Sequence, residues 1–325
     1  MEDVGAGELI RAMRAAEAQA LGSTLDATTL AVVRVRERLL AASDVDGAWA
    51  VVVLTKTSAP RPSVQLQTLR VDYGVVYVLD SGDRQDTVRA SVLRCRSEDQ
   101  HVRTLFSRFV VSLLERLPDP VTESQLADEV DAWVRLFLYL QEAPRADVIG
   151  IAGELVLIAE SSNPEAWVRG WHSSKNDVLD FVLPIQNLSV EVKATSQQQR
   201  IHEISYWQAR PPLERPSFIA SVLVDMRESA QPLSDLVDEI LGRIDAPEVR
   251  YLLWEILART SGSALGTILE ARMDLKASRE SLLFFDALRV PVPAVELPLP
   301  PGVSGLRYRC DLSYCEPVQR ALVLG

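Results

Sequence analysis

Three side chains in the middle of the chain have the types and spacing for phosphate chemistry. Glu191 and Lys193 stand two residues apart in Leu188-Ser189-Val190-Glu191-Val192-Lys193-Ala194, a run with the apolar and β-branched content of a strand. In a strand, residues two apart share a face. Glu191 and Lys193 therefore project together, while Val190 and Val192 point the other way. Asp180 lies in an earlier strand candidate, Val178 to Leu183, and Pro184-Ile185-Gln186-Asn187 supplies a short connection. Hairpin pairing would bring Asp180 beside Glu191. Two carboxylates and an ammonium are costly to bury unless something uses them. A divalent ion held by both carboxylates is the natural use. Mg²⁺ takes few carboxylates, keeps waters and completes its shell with phosphate oxygens. Lys193 could then hold an attacking water.

A fourth acid fits the set. Glu154 falls in Gly150-Ile151-Ala152-Gly153-Glu154-Leu155-Val156-Leu157, inside a predicted helix over 147–161. Each glycine costs the helix roughly 1 kcal/mol relative to alanine, and both would let it approach a neighbouring backbone closely. Asp177 competes with Asp180 for the same role. The bland reading of Glu191 and Lys193 is an exposed cross-strand ion pair of little worth.

The ordered set, helix Glu154, then Asn176-Asp177-Val178-Leu179-Asp180-Phe181, then Val190-Glu191-Val192-Lys193-Ala194-Thr195, resembles the PD-(D/E)XK nuclease superfamily. More narrowly it is similar to bacterial PD-(D/E)XK motif proteins encoded in restriction and phage-defence clusters, often beside ATPases and DNA methyltransferases. Trp171-His172, His202 and Gln208 extend the resemblance. It implies an α/β fold with a restriction-endonuclease-like αβββαβ core. It also implies Mg²⁺-dependent hydrolysis of DNA phosphodiesters, with Mn²⁺ able to substitute, leaving a 5′-phosphate. In that pattern Asp180 and Glu191 are metal ligands, Lys193 positions water, Glu154 is an accessory metal-binding acid and Gln208 completes the site from the following helix. Leu179 stands where the literal motif has proline. Duplex cutting in this superfamily usually needs two active sites, so a homodimer is a candidate state.

His172 and His202 could contact phosphate or donate a proton, or could be satisfied surface or core histidines. Lys175, Arg200 and Arg210 read as solvated charges or backbone contacts, and Trp167, Trp171 and Trp207 as core or as base-stacking platforms.

The elements needed to position these residues follow from periodicity. Helix is predicted over 8–21, 100–117, 122–141, 147–161, 202–208, 232–243 and 247–259. Strand is predicted over 48–54, 65–71, 74–80, 88–95, 188–194, 217–225, 284–290 and 306–312. Residues 28–42 are ambiguous, β-branched at first and helical in character from Arg34 to Leu40. Pro118-Asp119-Pro120 suggests a boundary between an N-terminal α+β domain, residues 1–118, and a nuclease-like domain, residues 119–325. The first domain would bind a partner or recognise nucleic acid. The prolines around 291–301 read as an extended connector.

The chain has 325 residues, 47% of them hydrophobic and 24% charged, with a net charge of −11. That balance argues against a free-standing, tight duplex binder, which needs clustered Lys and Arg. From Ala166 to Pro216, however, six Lys or Arg meet five acids, and three of the six tryptophans fall in the same window. Targeting by partner subunits, such as an ATPase or a methyltransferase, is therefore expected. A catalytically inactive scaffold or regulatory subunit of a defence complex is the rival reading. No apolar run reaches the ~18 residues of a membrane span, and the N-terminus lacks the pattern of a secretory signal. Three cysteines without a CxxC read as reduced thiols, so a cytoplasmic location is expected. No Walker loop, dinucleotide fingerprint or nucleophile elbow is present.

Overall fold

The computed structural model describes residues 5–58, 61–144, 147–172, 179–211, 215–294, 303 and 305–325. The chain is a mixed α/β protein of two compact units, Met1–Glu142 and Ala143–Gly325.

The first unit contains α1 (Ala6–Leu21), β1 (Thr29–Arg36), β2 (Leu39–Ser43), β3 (Trp49–Val53), β4 (Val64–Gln65), β5 (Leu69–Asp80), β6 (Gln85–Cys95), α2 (Gln100–Glu115) and α3 (Glu123–Tyr139). The sheet order is β1-β2-β3-β6-β5-β4, and β1 also pairs with β5 in parallel, so the sheet closes on itself. Leu30, Val32, Leu40, Ala42, Val52, Leu79 and Val92 form one buried cluster. The ambiguous stretch 28–42 is thus a β-hairpin, and the helical character expected from Arg34 to Leu40 is not realised. Glu37 and Arg38 make its turn, and all of β2 is buried against β1 and β3.

The units divide between Glu142 and Ala143, later than the boundary expected at 118. The proline-rich break does interrupt the chain, but the chain then returns to the same unit. Lys56 N donates to Val121 O at 2.8 Å, and Glu123 N donates to Lys56 O at 3.1 Å. The side chain of Glu123 is buried in an ion pair with Arg89. Trp133 and Phe137 of α3 pack on Phe109 of α2, with ring centroids 5.5 Å apart in both pairs.

The second unit runs α4 (Val148–Glu160), α5 (Pro164–Gly170), β7 (Phe181–Leu183), β8 (Leu188–Thr195), β9 (Ile201–Ser205), α6 (Tyr206–Ala209), β10 (Ser217–Leu223), β11 (Met226–Pro232), α7 (Leu233–Gly242), α8 (Pro247–Ser261), α9 (Leu265–Glu270), β12 (Arg272–Met273), α10 (Leu275–Ser281), β13 (Leu283–Asp286) and β14 (Arg307–Asp311). Its main sheet has the order β13-β10-β8-β7. There β8 is parallel to β10 and antiparallel to β7, and β13 is antiparallel to β10. A parallel β8–β10 pair needs a long crossover. Here β9 and α6 lie within it, and β9 pairs with β14 instead of joining the main sheet.

The helix expected over 202–208 is mostly strand. His202 and Ile204 alternate as buried residues and pair with Cys310 and Tyr308. Only Tyr206–Ala209 is helical, started by Ser205, whose hydroxyl accepts from Gln208 N while the Gln208 side chain accepts from Ser205 N.

Helix α4 is almost wholly apolar and buried, with Asp147 as its N-cap, accepting from Gly150 N at 2.7 Å. Its approach to β8 depends on Gly153. A Cβ there would lie 2.6 Å from Ala194 Cβ and 3.3 Å from Val192 Cγ1. Gly150 faces no such neighbour, since its nearest contact would be Asp147 Oδ1 at 3.5 Å. Of the two glycines singled out in the sequence, one therefore serves the close approach. Among the described residues, no helix is long and apolar enough to cross a membrane.

Candidate active site

The β7–β8 hairpin fixes the central pair. Phe181 pairs with Val190 and Val182 with Ser189, so Asp180, one residue before β7, stands across from Glu191. Asp180 Oδ2 accepts the Val192 amide at 2.8 Å. Asp180 thus sits at the mouth of the hairpin, just outside the strand expected to carry it. Its competitor Asp177, with Lys175, lies outside the described residues.

Glu191 is 4% exposed. Its Oε1 takes Lys193 Nζ at 2.8 Å and accepts from Gln208 Nε2. Among the described residues, its other oxygen, Oε2, is buried with no hydrogen-bond partner. An unsatisfied buried carboxylate oxygen costs the folded state free energy and asks for a ligand. Gln208 reaches Glu191 because the Ser205 cap sets α6 at the end of β9.

Glu154 comes from α4. Trp171 Nε1 donates to its Oε2, and His172 Nε2 lies 3.1 Å from the same oxygen. One ligand atom each from Glu154, His172 and Asp180 lies within 4.8 Å of the others, a spacing that could hold a metal ion. The five residues selected in the sequence are therefore brought together, and two more join them. His172 was one of several open candidates. Trp171 belongs to the string that carries the resemblance and reads in the sequence as a core or stacking residue; no periodicity marks its indole N–H as the holder of Glu154.

The electrostatics follow from burial. Desolvation, then the neighbouring Glu191 and Glu154 carboxylates, push Asp180 well above the usual carboxylate range. Desolvation also raises Glu191, against the Lys193 ammonium that pulls it down. Carboxylates crowded in this way are relieved by a cation. The donor set, carboxylate oxygens with one imidazole and an orphaned oxygen, suits a divalent metal.

The remaining candidates have structural partners. His202 Nε2 meets Ser221 Oγ at 2.8 Å, and burial pushes its imidazole down to about 4, so it is neutral at pH 7. Arg200 donates to Ser221 O at 2.8 Å and to Ser281 O, joining β10 to the end of α10. Arg210 donates to the carbonyls of Ala209, Ala287 and Val290. Trp167 is buried with its ring 5.3 Å from Phe181, while Trp207, next to Gln208, is half-exposed.

A family model described as "Putative PD-(D/E)XK family member, (DUF4420)" matches residues 27–313. The chain belongs to this family. The match begins near the start of β1 and ends just past β14, so both compact units are part of what the PD-(D/E)XK family member shares. No curated protein and no solved structure matches the chain.

Proposed function

We propose that the chain is a divalent-metal-dependent deoxyribonuclease that hydrolyses DNA phosphodiester bonds as part of a restriction or anti-phage system. Family membership supports a nuclease. The observation that carries the reading is the buried Glu191 beside Asp180, with one oxygen engaged by Lys193 and Gln208 and the other without a hydrogen-bond partner among the described residues. In this reading α4, β7, β8, β9, α6 and β10 form the αβββαβ core, with β9 splayed out to β14.

Asp180, Glu191 and Glu154 would hold the cation. When bound, such an ion neutralises charge gathering on the scissile phosphate and lowers the pKa of water. The chain's own residues do the rest. Lys193 is 19% exposed at its side chain, enough to meet a water in the site, while Glu191 fixes its ammonium in place. Gln208 keeps the Glu191 carboxylate from rotating. The Val192 amide orients Asp180, and the Trp171 indole orients Glu154. Burial of these groups limits competing solvent and strengthens each interaction.

With a net charge of −11, the chain lacks the charge balance of an independent high-affinity duplex binder. We infer that partner proteins, such as an ATPase or a methyltransferase, bring it to DNA, and that two copies act together on duplex substrate. DNA binding by the isolated chain as tight as with partners present would count against the first of these.

The decisive assay is cleavage of supercoiled, linear and single-stranded DNA with Mg²⁺ or Mn²⁺, with and without partner proteins. The expected result is cutting by the wild type and none by a folded Lys193→Ala variant. Equal cutting by both proteins would remove the site from the reaction. No cutting by either would favour the scaffold reading.

A further inference from the structure

His172 has a backbone conformation that a side-chain-bearing residue seldom adopts without cause. Its φ is +44°, in the left-handed region. The conformation is held from both sides. The His172 amide donates to Asp180 O at 2.8 Å, and Trp171 forms a bridge with Phe181 of β7. The imidazole lies over the Trp171 indole, with centroids 5.7 Å apart and planes inclined by 27°. That indole in turn donates to Glu154. The strained residue is thereby tied through its backbone to one carboxylate-bearing residue and through its neighbour to the other. Strain of this kind persists where the surroundings enforce it, and often where a side chain must be aimed.

We propose that His172 is a protein ligand of the cation, beside Glu154 and Asp180, and that its imidazole makes the site prefer Mn²⁺-class ions to Mg²⁺. The inference rests on the metal-dependent reading above. His172 Nε2 and Glu154 Oε2 are 3.1 Å apart. That separation matches neighbouring ligands on one ion, because octahedral bonds of about 2.1 Å place adjacent donors about 3 Å apart. The third donor, from Asp180, lies within 4.8 Å of both. An imidazole nitrogen is a good ligand for first-row transition ions, whereas Mg²⁺ takes oxygen donors and water. A site of carboxylates alone would not discriminate in this way.

A hydrogen bond from His172 to Glu154 without metal ligation would use the same contact, so the test must see the nitrogen. Full-length protein is loaded with Mn²⁺ and examined by pulsed electron paramagnetic resonance for ¹⁴N coupling. Mn²⁺ and Mg²⁺ affinities are measured by calorimetry for the wild type, His172→Asn and Asp180→Asn. Asparagine tolerates a positive φ, so His172→Asn removes the nitrogen donor without adding backbone strain. His202→Gln is the control for the other histidine of this unit.

The expected result is nitrogen coupling in the wild type and in His202→Gln, and none in His172→Asn. Mn²⁺ affinity should fall roughly 10- to 100-fold in His172→Asn, on the scale of lost metal-site support, while Mg²⁺ affinity changes by less than about 3-fold. Nitrogen coupling that survives in His172→Asn would overturn the assignment. So would its absence from wild type that binds Mn²⁺ in an Asp180-dependent way, and in that case the metal-dependent reading would stand. If wild type binds neither ion, both inferences fall. Should His172→Asn fail to fold, the wild-type and His202→Gln spectra still decide whether an imidazole other than His202 is bound.

Discussion

The contact between α4 and β8 can be tested with a pair of alanine substitutions in one helix. Gly150 and Gly153 are chemically alike, and alanine at either should gain up to about 1 kcal/mol from helix propensity. Their surroundings differ. At Gly150 the new Cβ meets only Asp147 Oδ1, at an ordinary 3.5 Å. At Gly153 it meets Ala194 Cβ at 2.6 Å. Carbon atoms pack at about 3.5 Å or more, so α4 and β8 must part by about 1 Å. Overpacking of this sort costs about 1–3 kcal/mol. Gly150→Ala should therefore raise stability by up to about 1 kcal/mol, and Gly153→Ala should lower it by up to about 2 kcal/mol. In a unit of this size each kcal/mol moves the melting temperature by about 2–4 °C, so calorimetry separates the variants. The consequence for function is larger. Glu154 follows Gly153 in the chain, and a displacement of about 1 Å at a reacting centre lowers rate about 100-fold. A Gly153→Ala protein as stable as Gly150→Ala and fully active would refute the close approach and the role given to Glu154.

Gln208→Ala leaves Glu191 Oε1 with Lys193 alone, and divalent-cation affinity should fall by roughly 10- to 100-fold; unchanged affinity in calorimetry would reduce Gln208 to a cap for α6. His202 is neutral when folded, with its imidazole lowered to about 4 by burial and by the nearby Lys193 and Arg200, against a rise from Asp311. Its lowered folded value means that stability is fully present above the unfolded value of about 6.5 and is lost as pH falls from there towards 4, by about 3 kcal/mol in total. His202→Gln should flatten that part of the urea-unfolding profile, and a slope identical to wild type would contradict the burial argument. In the first unit, Gly74 has φ +56°, and a Cβ there would lie 2.2 Å from Glu123 Oε1. Gly74→Ala should cost about 1–3 kcal/mol, because it strains the backbone and displaces the buried Glu123 carboxylate from the half-exposed Arg89; a cost under about 1 kcal/mol would mean that the backbone and Glu123 adjust freely.

The site was legible where one local rule governed. Two-residue periodicity put Glu191 and Lys193 together, and a short hairpin connection put Asp180 opposite. Glu154 stood out because an acid in a helix as apolar as α4 needs a reason. Legibility failed where tertiary context overrode local preference. Arg34 to Leu40 has the composition of a helix, yet β2 is buried on every residue and the closed sheet claims it. His202 to Gln208 contains a strand whose partner, β14, lies about a hundred residues further on, so no local window could reveal it. Pro118-Asp119-Pro120 was a true break in the chain but not in the unit, because the partners of Val121 and Glu123 lie back at Lys56 and Arg89. Trp171 was invisible as a holder of Glu154 for the same reason: its role depends on where α4 lies.

The same geometry implies that the site is costly to the fold that holds it. Glu154, Asp180 and Glu191 crowd one another, Lys193 pairs with Glu191, and among the described residues Glu191 Oε2 has no hydrogen-bond partner. The cost is offset by apolar packing around it, since Ile151, Ala152 and Leu155 to Ala159 of α4 are all buried. Relief of the charge should then stabilise the protein without metal. Asp180→Asn keeps an oxygen for the Val192 amide and removes one of the crowded charges. It should raise metal-free stability by about 1–2 kcal/mol, the usual exchange between stability and activity at such sites. Cation binding should reverse the order. An ion at about 100 times its dissociation constant adds about 2.7 kcal/mol to the wild type and nothing to a variant that has lost the site. Melting curves of the two proteins with and without Mn²⁺ should therefore cross. A metal-free Asp180→Asn less stable than wild type would show that the carboxylate supports the fold, and that the crowding described here is not what the site pays to bind its ion.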